Sequence, residues 1–393
     1  MNTRVGDFIH KYEYLKTGET LEDVTIRMAA RIMTIRSAGT SLQFYVCKAE
    51  GLPTQILCDS RLAEGGHPFN HDLFRRGDWI GVVGFPGRTK PKGRPQGELS
   101  VFAREIFLLS PCLHSLPSVH YGFHNQEQRY RQRYLDLIIN DSTRNVFIMR
   151  SKIIKYIRRF FDDRDFLEVQ TPMMNKIPGG AMAKPFKTFH NDLNIELFLR
   201  VAPELYLKML LVGGLEKVFE IGRNFRNEDI DLTHNPEFTS LSTPTRLDVA
   251  TADGDLGCEF YWTFADVYDV IELTEELISG MVKELIGSYN TVLHKEGTTY
   301  EINWERPWKR VQLIPALEEA TGEKFPPSDQ LHTDESLVFL ESLLKKFDLD
   351  CQIHTAAKII DKLVGELLEP SFIHPTFLLG HPQLSVLHNS FIT

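Results

Sequence analysis

Paired cysteines are missing from this sequence. Its five cysteines, Cys47, Cys58, Cys112, Cys258 and Cys351, are scattered, odd in number and never spaced C-x-x-C. That argues against a disulfide framework and a cysteine zinc site, and fits reduced thiols in a cytosolic compartment. Surplus positive charge is missing too: 44 Lys and Arg stand against 53 Asp and Glu, a formal net charge of -9. This argues against a protein that coats nucleic acid non-specifically. It does not exclude one that grips nucleic acid locally, because binding depends on where the basic residues sit. No apolar run approaches a membrane span. Residues 1–15 interleave Asp7, Lys11 and Glu13 with apolar positions, unlike a signal or transit peptide and unlike a lysine-rich RNA-binding arm.

What is present is an ordinary globular balance, 42% apolar and 25% charged over 393 residues, a length that suits two or more domains. Residues 24–110 read as five short strands, at 24–36, 41–48, 54–59, 79–85 and 99–109, separated by Gly/Pro-rich turns. That pattern predicts a small barrel or sandwich, with an OB-type barrel the natural candidate. Residues 1–23 form a preceding segment and 111–126 a linker without period. From 127 the chain mixes helices with returning strands. Apolar residues recur at helical spacing in 144–164, the stretches FLEVQTP, ELFLRV and KVFEIGRNF read as strands, and PELYLKMLLVG reads as a helix. Further amphipathic helices are expected in 266–286 and 334–368. The fold class is α+β.

Three pieces carry chemistry. After the proline-stopped strand FLEVQTP comes Gly179-Gly180, which is either a tight turn or a place where backbone N–H groups meet a ligand. In RVAPEL, Glu204 sits in the first turn of a helix; it either complements the helix dipole or offers its charge to an ammonium. The third piece is FRNE followed by HNPEF, read as strand, polar turn and return strand. Arg226 and Glu228, two apart, would share a strand face, where an arginine fork suits a phosphate and Phe238 could stack on a purine. An ordinary ion pair and a core phenylalanine are the plain alternative.

The order and wording of these pieces resemble class II lysyl-tRNA synthetases of the eukaryotic cytoplasmic type. FLEVQTPMM resembles motif 1 and FRNE…HNPEF motif 2; GGAMAKPF, RVAPELYLKMLLVGG, IDLTHNPEF, RYRQRYLDLI and KIIDKLVGELLE resemble the lysine-specific branch, over about residues 20–384. The resemblance implies an anticodon-binding barrel (24–110) and a class II catalytic domain (127–384), an antiparallel sheet with flanking helices. It implies lysine–tRNA ligase activity with ATP, lysine and tRNA(Lys) as substrates, magnesium as helper, and a cytoplasmic homodimer built on motif 1. Arg226 would be the catalytic residue, touching the lysine carboxylate and the α-phosphate. Glu228 and Asn235 would meet the adenine side and His234 the far phosphates, with Phe238 stacked on adenine. Gly180, Glu204, Glu259 and Tyr261 would bind lysine. Arg36, Phe44, Gln55 and Glu98 would read the anticodon by stacking and base-edge contacts.

Two departures from the family stand out. Residues 240–257, SLSTPTRLDVATADGDLG, intervene where the family's strand runs straight on. Either the strand resumes after a bulge, or Glu259 and Tyr261 lose register and turn to the wrong face. The second departure lies at 385–393, within the closing LSVLHNSFIT, which no longer matches the family. The resemblance then implies that motif 3, the magnesium-holding acids and a second lysine-pocket carboxylate lie outside this sequence. The expectation is a ligase represented by an incomplete chain or gene model, with little ligation of its own. The competing expectation is a non-catalytic tRNA-binding or regulatory relative.

Overall fold

The structure is a computed structural model that describes residues 2–39, 41–64, 69–91, 93, 95–117, 122–177, 179–180, 183–227, 235–239, 258–295, 297–351 and 354–382. The chain divides into two compact units, Met1–Asn145 and Val146–Thr393. The tail 385–393 and the intervening 240–257 lie outside the described residues.

In the first unit, β1 (Ile26–Ser37), β2 (Leu42–Ala49), β3 (Leu52–Asp59), β4 (Trp79–Arg88) and β5 (Leu99–Ser110) close a barrel in the order β1-β2-β3-β5-β4. Only β3 and β5 run parallel; the other neighbours, including the closing pair β1–β4, are antiparallel. Alternation on β1 sends Ile26, Met28, Ala30 and Ile32 inward, against Tyr45, Ile56, Ile80 and Val101. Closure gives each of the five strands two hydrogen-bonded neighbours.

One element was not anticipated. Within 1–23, α1 (Val5–Tyr12) buries Val5, Phe8 and Tyr12 in the barrel core. The spacing Val5, Phe8, Ile9, Tyr12 is helical, so the signal was present in the sequence.

Past the barrel, α2 (Gln126–Arg131), α3 (Arg133–Ile139) and the start of α4 (Asp141–Asp162) are tied by one fully buried carboxylate. Asp136 accepts hydrogen bonds from Arg129 Nε at 2.9 Å, Arg133 Nη1 at 2.7 Å and Asn140 Nδ2 at 2.6 Å. Arg129 also donates to Thr143 Oγ1 at 3.0 Å.

Among the described residues the second unit has two cores. In the first, α4 lays Phe161 against Phe219, with ring centroids 4.8 Å apart, and against Phe166 and Phe260. This covers a three-stranded sheet in which β10 (Lys217–Ile221) pairs parallel with β6 (Leu167–Glu168) and antiparallel with β13 (Cys258–Trp262). The motif 1 strand is thus shorter than FLEVQTP suggested: ladder pairing covers two residues, and Val169 adds a single bond to Phe219 O. Around it lie β7 (Met174–Asn175), β8 (Lys187–His190) and β9 (Ile195–Leu199), which form a sheet in the order β7-β9-β8. Next come α5 (Glu204–Val212) and the hairpin β11 (Arg223–Phe225) with β12 (Glu237–Thr239). On the other side, α6 (Val267–Ile286) opens with a capping box from Asp266 and packs Leu273, Leu277 and Met281 into the aromatic cluster. The hairpin β14 (Asn290–Lys295) and β15 (Thr298–Asn303) follows. The second core joins α7 (Leu313–Thr321), α8 (Asp334–Lys346) and α9 (Ala356–Leu363), beside the parallel pair β16 (Lys309–Gln312) and β17 (Thr376–Leu379).

Burial pushes Asp136 up, but the hydrogen bonds from Asn140, Arg129, Arg133 and Thr143 together hold it below the ordinary 3.8. A depressed carboxyl contributes stability that is present above the ordinary value and lost as pH falls through the lowered one. Asp136→Asn is expected to destabilise the first unit by about 3 kcal/mol at neutral pH by stranding two guanidinium groups. It is also expected to weaken the dependence of stability on pH in the acid range. Urea unfolding across that range measures both effects.

Candidate functional site

The strand pattern KVFEIGRNF is broken at Gly222, and the break has a steric cause. A Cβ at this position would lie 2.1 Å from Arg200 Nη2. Glycine therefore lets a buried guanidinium pass between β10 and β11. Arg200 and Glu220 form an ion pair at 2.5 Å with both side chains almost fully enclosed. Arg200 donates from Nη1 to Thr171 Oγ1 at 2.9 Å and Thr171 O at 3.2 Å, and from Nε to Arg223 O at 2.9 Å. Glu220 Oε2 accepts from Thr171 N at 3.1 Å and Oγ1 at 2.7 Å. The Arg200 backbone joins in: its N–H donates to Met173 O and its carbonyl accepts Phe225 N–H. One residue thus ties the segment after β6 to β10 and β11.

These contacts surround the residues expected to bind lysine. Gly180 adopts φ +93°, a left-handed conformation suited to glycine. A Cβ there would lie 3.1 Å from Ala202 O and 3.5 Å from Glu204 Cβ, so its backbone abuts the start of α5. Glu204, in the first turn of α5, accepts from Lys208 Nζ at 2.6 Å. Glu259 and Tyr261 resume on β13 in antiparallel register with β10, Glu259 opposite Glu220 and Tyr261 opposite Val218. Of the two outcomes open after 240–257, the strand resumes, and the two side chains share one face. Desolvation pushes the Glu259 carboxyl up to about 7, with Glu204 and Glu220 adding to the rise and Arg200 and Arg226 opposing it. Burial, then Glu259 and Glu204, also push the Tyr261 hydroxyl up. Gly180, Glu204, Glu259 and Tyr261 therefore converge, and Arg226 lies within electrostatic reach.

The nucleotide set is placed only in part. Arg226 lies one residue past β11, not on the strand; its N–H donates to Pro236 O at 2.9 Å. Ladder pairing ends at Phe225, and this one bond carries the hairpin contact a residue further; the shared strand face expected for Arg226 and Glu228 lies outside the described residues, because Glu228 does. Asn227 N–H donates to Lys184 O at 2.7 Å, which fastens the stretch after the glycine pair to this hairpin. Asn235 is exposed beside β12. Phe238 pairs by its backbone with Asn224; its side chain, and Glu228 and His234 altogether, lie outside the described residues.

In the barrel the four anticodon candidates also meet. Arg36 sits opposite Phe44 on β1 and β2. Glu98 forms an ion pair with Arg36 at 3.6 Å and accepts from Gln55 Nε2. Ser100, fully buried, donates to Gln55 Oε1 at 2.9 Å, so both ends of the Gln55 amide are committed.

Reading by motif missed Arg200, Glu220 and Thr171. The available signal was a charge inside an apolar run, in LFLRVA and again in VFEIG. Among the described residues no group of three or more His, Cys, Asp or Glu could hold a metal ion. The nearby carboxylates are committed, Glu220 to Arg200 and Thr171, Glu204 to Lys208. These described residues do not form the magnesium donor set that the resemblance implies.

Comparison with known proteins places these features in a wider set. The family model described as "tRNA synthetases class II (D, K and N)" matches residues 125–247. "Lysine--tRNA ligase cla4" of Cladosporium cladosporioides is 55% identical over 380 residues, 96% of this chain and 61% of that relative. "Probable lysine--tRNA ligase, cytoplasmic" of Encephalitozoon cuniculi is 43% identical over 96% of this chain and 70% of the relative. "Lysine--tRNA ligase" of Thermotoga maritima is 40% identical over 95% of this chain and 67% of the relative. The chain thus spans between 61% and 70% of the length of these relatives.

The raised Glu259 carboxyl carries a sign. The unfolded chain releases this proton near the ordinary 4.5 and the folded chain near 7, so stability is lost as pH rises between those values. At about 1.4 kcal/mol per pH unit, the loss is about 3 kcal/mol above neutrality. Glu259→Gln is expected to stabilise the second unit by about that amount at mildly alkaline pH and to change little near pH 4.5. Chemical denaturation at the two pH values checks it; equal effects at both would contradict it.

Proposed function

The chain belongs to the class II lysine–tRNA ligase family, and we propose from that premise that it serves ATP-dependent activation of lysine to lysyl-adenylate and transfer to tRNA(Lys). The observation that carries the reading is the convergence of Gly180, Glu204, Glu259 and Tyr261 beside Arg226. A cluster of carboxylates with one half-buried guanidinium suits a ligand that has ammonium at one end and an anion at the other. An approaching ammonium favours the ionised form of Glu259 and so offsets the desolvation that raises it.

The chemistry needs no side-chain nucleophile. An oxygen of the lysine carboxylate forms a bond to the α-phosphorus as the bond from that phosphorus to pyrophosphate breaks, and the electron pair leaves with pyrophosphate. Negative charge grows on the phosphorus oxygens, where the positive charge of Arg226 gains in value. Glu204 and Glu259 fix the lysine so that its carboxylate points at the phosphate, which is catalysis by positioning. Asn235 and Glu228 are assigned to the adenine side, His234 to the far phosphates and Phe238 to stacking on adenine.

In the barrel, Phe44 is assigned to stack on an anticodon base while Arg36, Gln55 and Glu98 meet base edges. Their cross-linked arrangement on adjoining strands supports this. The same proposal includes cytoplasmic action, which rests on the relatives' naming, and a homodimer through motif 1. The exposed Phe147, Ile148 and Leu167 on α4 and β6 support the dimer.

Lysine-dependent exchange between ATP and pyrophosphate tests the activation step. The 393-residue chain is expected to show weak exchange, in line with the little ligation expected from its sequence, and Arg226→Ala to lower it by about a hundredfold to a thousandfold. Anticodon-dependent tRNA binding with no exchange would replace this reading by that of a non-catalytic tRNA-binding relative. For the barrel, Phe44→Ala is expected to weaken tRNA(Lys) binding by about 1–3 kcal/mol in filter-binding assays. Unchanged binding would remove Phe44 from the anticodon site.

A further inference from the structure

We propose that Arg200 is a positioning residue for lysine activation: through Thr171, Glu220 and the Arg223 carbonyl it holds both the segment that presents Arg226 and the carboxylates that receive the substrate ammonium. The inference rests on the function proposed above. Arg200 does not face a ligand, since its side chain is 4% exposed and that of Glu220 is 3% exposed. Its reach is indirect and runs two ways. On one side, the Arg200 carbonyl holds Phe225 N–H and its Nε holds the Arg223 carbonyl, so both ends of β11 are fastened, the second of them one residue before Arg226. On the other, its partner Glu220 is the register neighbour of Glu259.

Glu259 is faced by Glu204 from α5, Glu220 from β10, Arg200 ahead of α5 and Arg226 after β11, with Tyr261 on its own strand. Without Arg200, the Glu220 charge would stand uncompensated against Glu259 and favour its neutral form. Lysine could not substitute. The acceptors lie in different directions around one planar fork, and an ammonium on a flexible stem does not span them. Gly222 belongs to the same device, because any larger residue there would occupy the space of the guanidinium.

The test uses the full chain with Arg200→Gln, with Glu220→Gln, and with both, circular dichroism confirming the fold. Two readouts are taken: calorimetric lysine binding across the pH range around neutrality, and amide hydrogen exchange of residues 223–227. Arg200→Gln is expected to weaken lysine binding about tenfold to a hundredfold and to move the acid limb of the binding profile to higher pH. Glu220→Gln is expected to move that limb to lower pH. The double variant replaces the ion pair by a neutral amide pair, keeps the test alive if a single variant fails to fold, and is expected to return the limb towards wild type. Exchange at 223–227 is expected to speed up in Arg200→Gln.

A purely structural role would lower the folded fraction without displacing the limb in opposite directions. Folded variants with wild-type profiles and unaltered exchange at 223–227 would overturn the proposal. Wild-type chain that fails to bind lysine would overturn the proposed function instead. Exchange at 223–227 would then decide whether Arg200 orders this segment: unaltered exchange overturns that role and faster exchange supports it.

Discussion

A buried guanidinium is costly to keep, and the second unit is arranged around one. Arg200 gives up its water to meet Glu220, Thr171 and the Arg223 carbonyl. The desolvation of such a pair is repaid only when geometry is good and remaining hydrogen-bonding capacity is met. Here both conditions shape the chain. Glu220 takes two bonds from Thr171 as well, and Gly222 leaves the space the guanidinium fills. The segment after β6, the strand β10 and the hairpin β11–β12 are held in register by charge in a place where ladder pairing is short. β6 pairs over two residues and β11 over three, too few for backbone hydrogen bonding alone to define the arrangement.

The aromatic cluster supplies the complementary constraint. Phe161 on α4 contacts Phe166, Phe219 and Phe260, residues beside or on three different strands. On β10 and β13, alternation sends Phe219 and Phe260 to one face and Glu220, Glu259 and Tyr261 to the other. The same two strands therefore build a dry core on one side and a charged site on the other. The clustered carboxylates follow from this: with Phe219 and Phe260 fixed inward, Glu220 and Glu259 have nowhere else to point.

The barrel solves a different problem. Its interior is apolar and closed, and its polar network is near the surface, where Arg36 and Glu98 remain about half exposed. An exposed pair contributes little to stability, so the network's value lies in orientation. Ser100 and Glu98 take opposite ends of the Gln55 amide and leave Phe44 beside them on β2. The barrel's candidate site thus keeps its charged ends in solvent, whereas the second unit encloses the Arg200–Glu220 pair.

Much of this was legible in the sequence. Alternating apolar residues with Gly and Pro breaks announced the five barrel strands, because a period of two with turn punctuation is a local property. The helical spacing of 144–164 announced α4, though the helix begins at Asp141. The motif wording pointed to Gly180, Glu204, Arg226, Glu259 and Tyr261 as one set. Tertiary structure alone decided the rest. Whether Glu259 keeps its register after 240–257 depends on pairing with β10, a strand distant in sequence. Arg226 falls just outside the ladder because β11 stops at Phe225, a matter of hairpin geometry that residue types do not encode. Arg200 and Glu220 look like stray charges in apolar runs until folding brings them to 2.5 Å. Local pattern determines which elements form and which face is apolar; only long-range packing determines which buried charges meet, because their partners lie on strands that the sequence keeps apart.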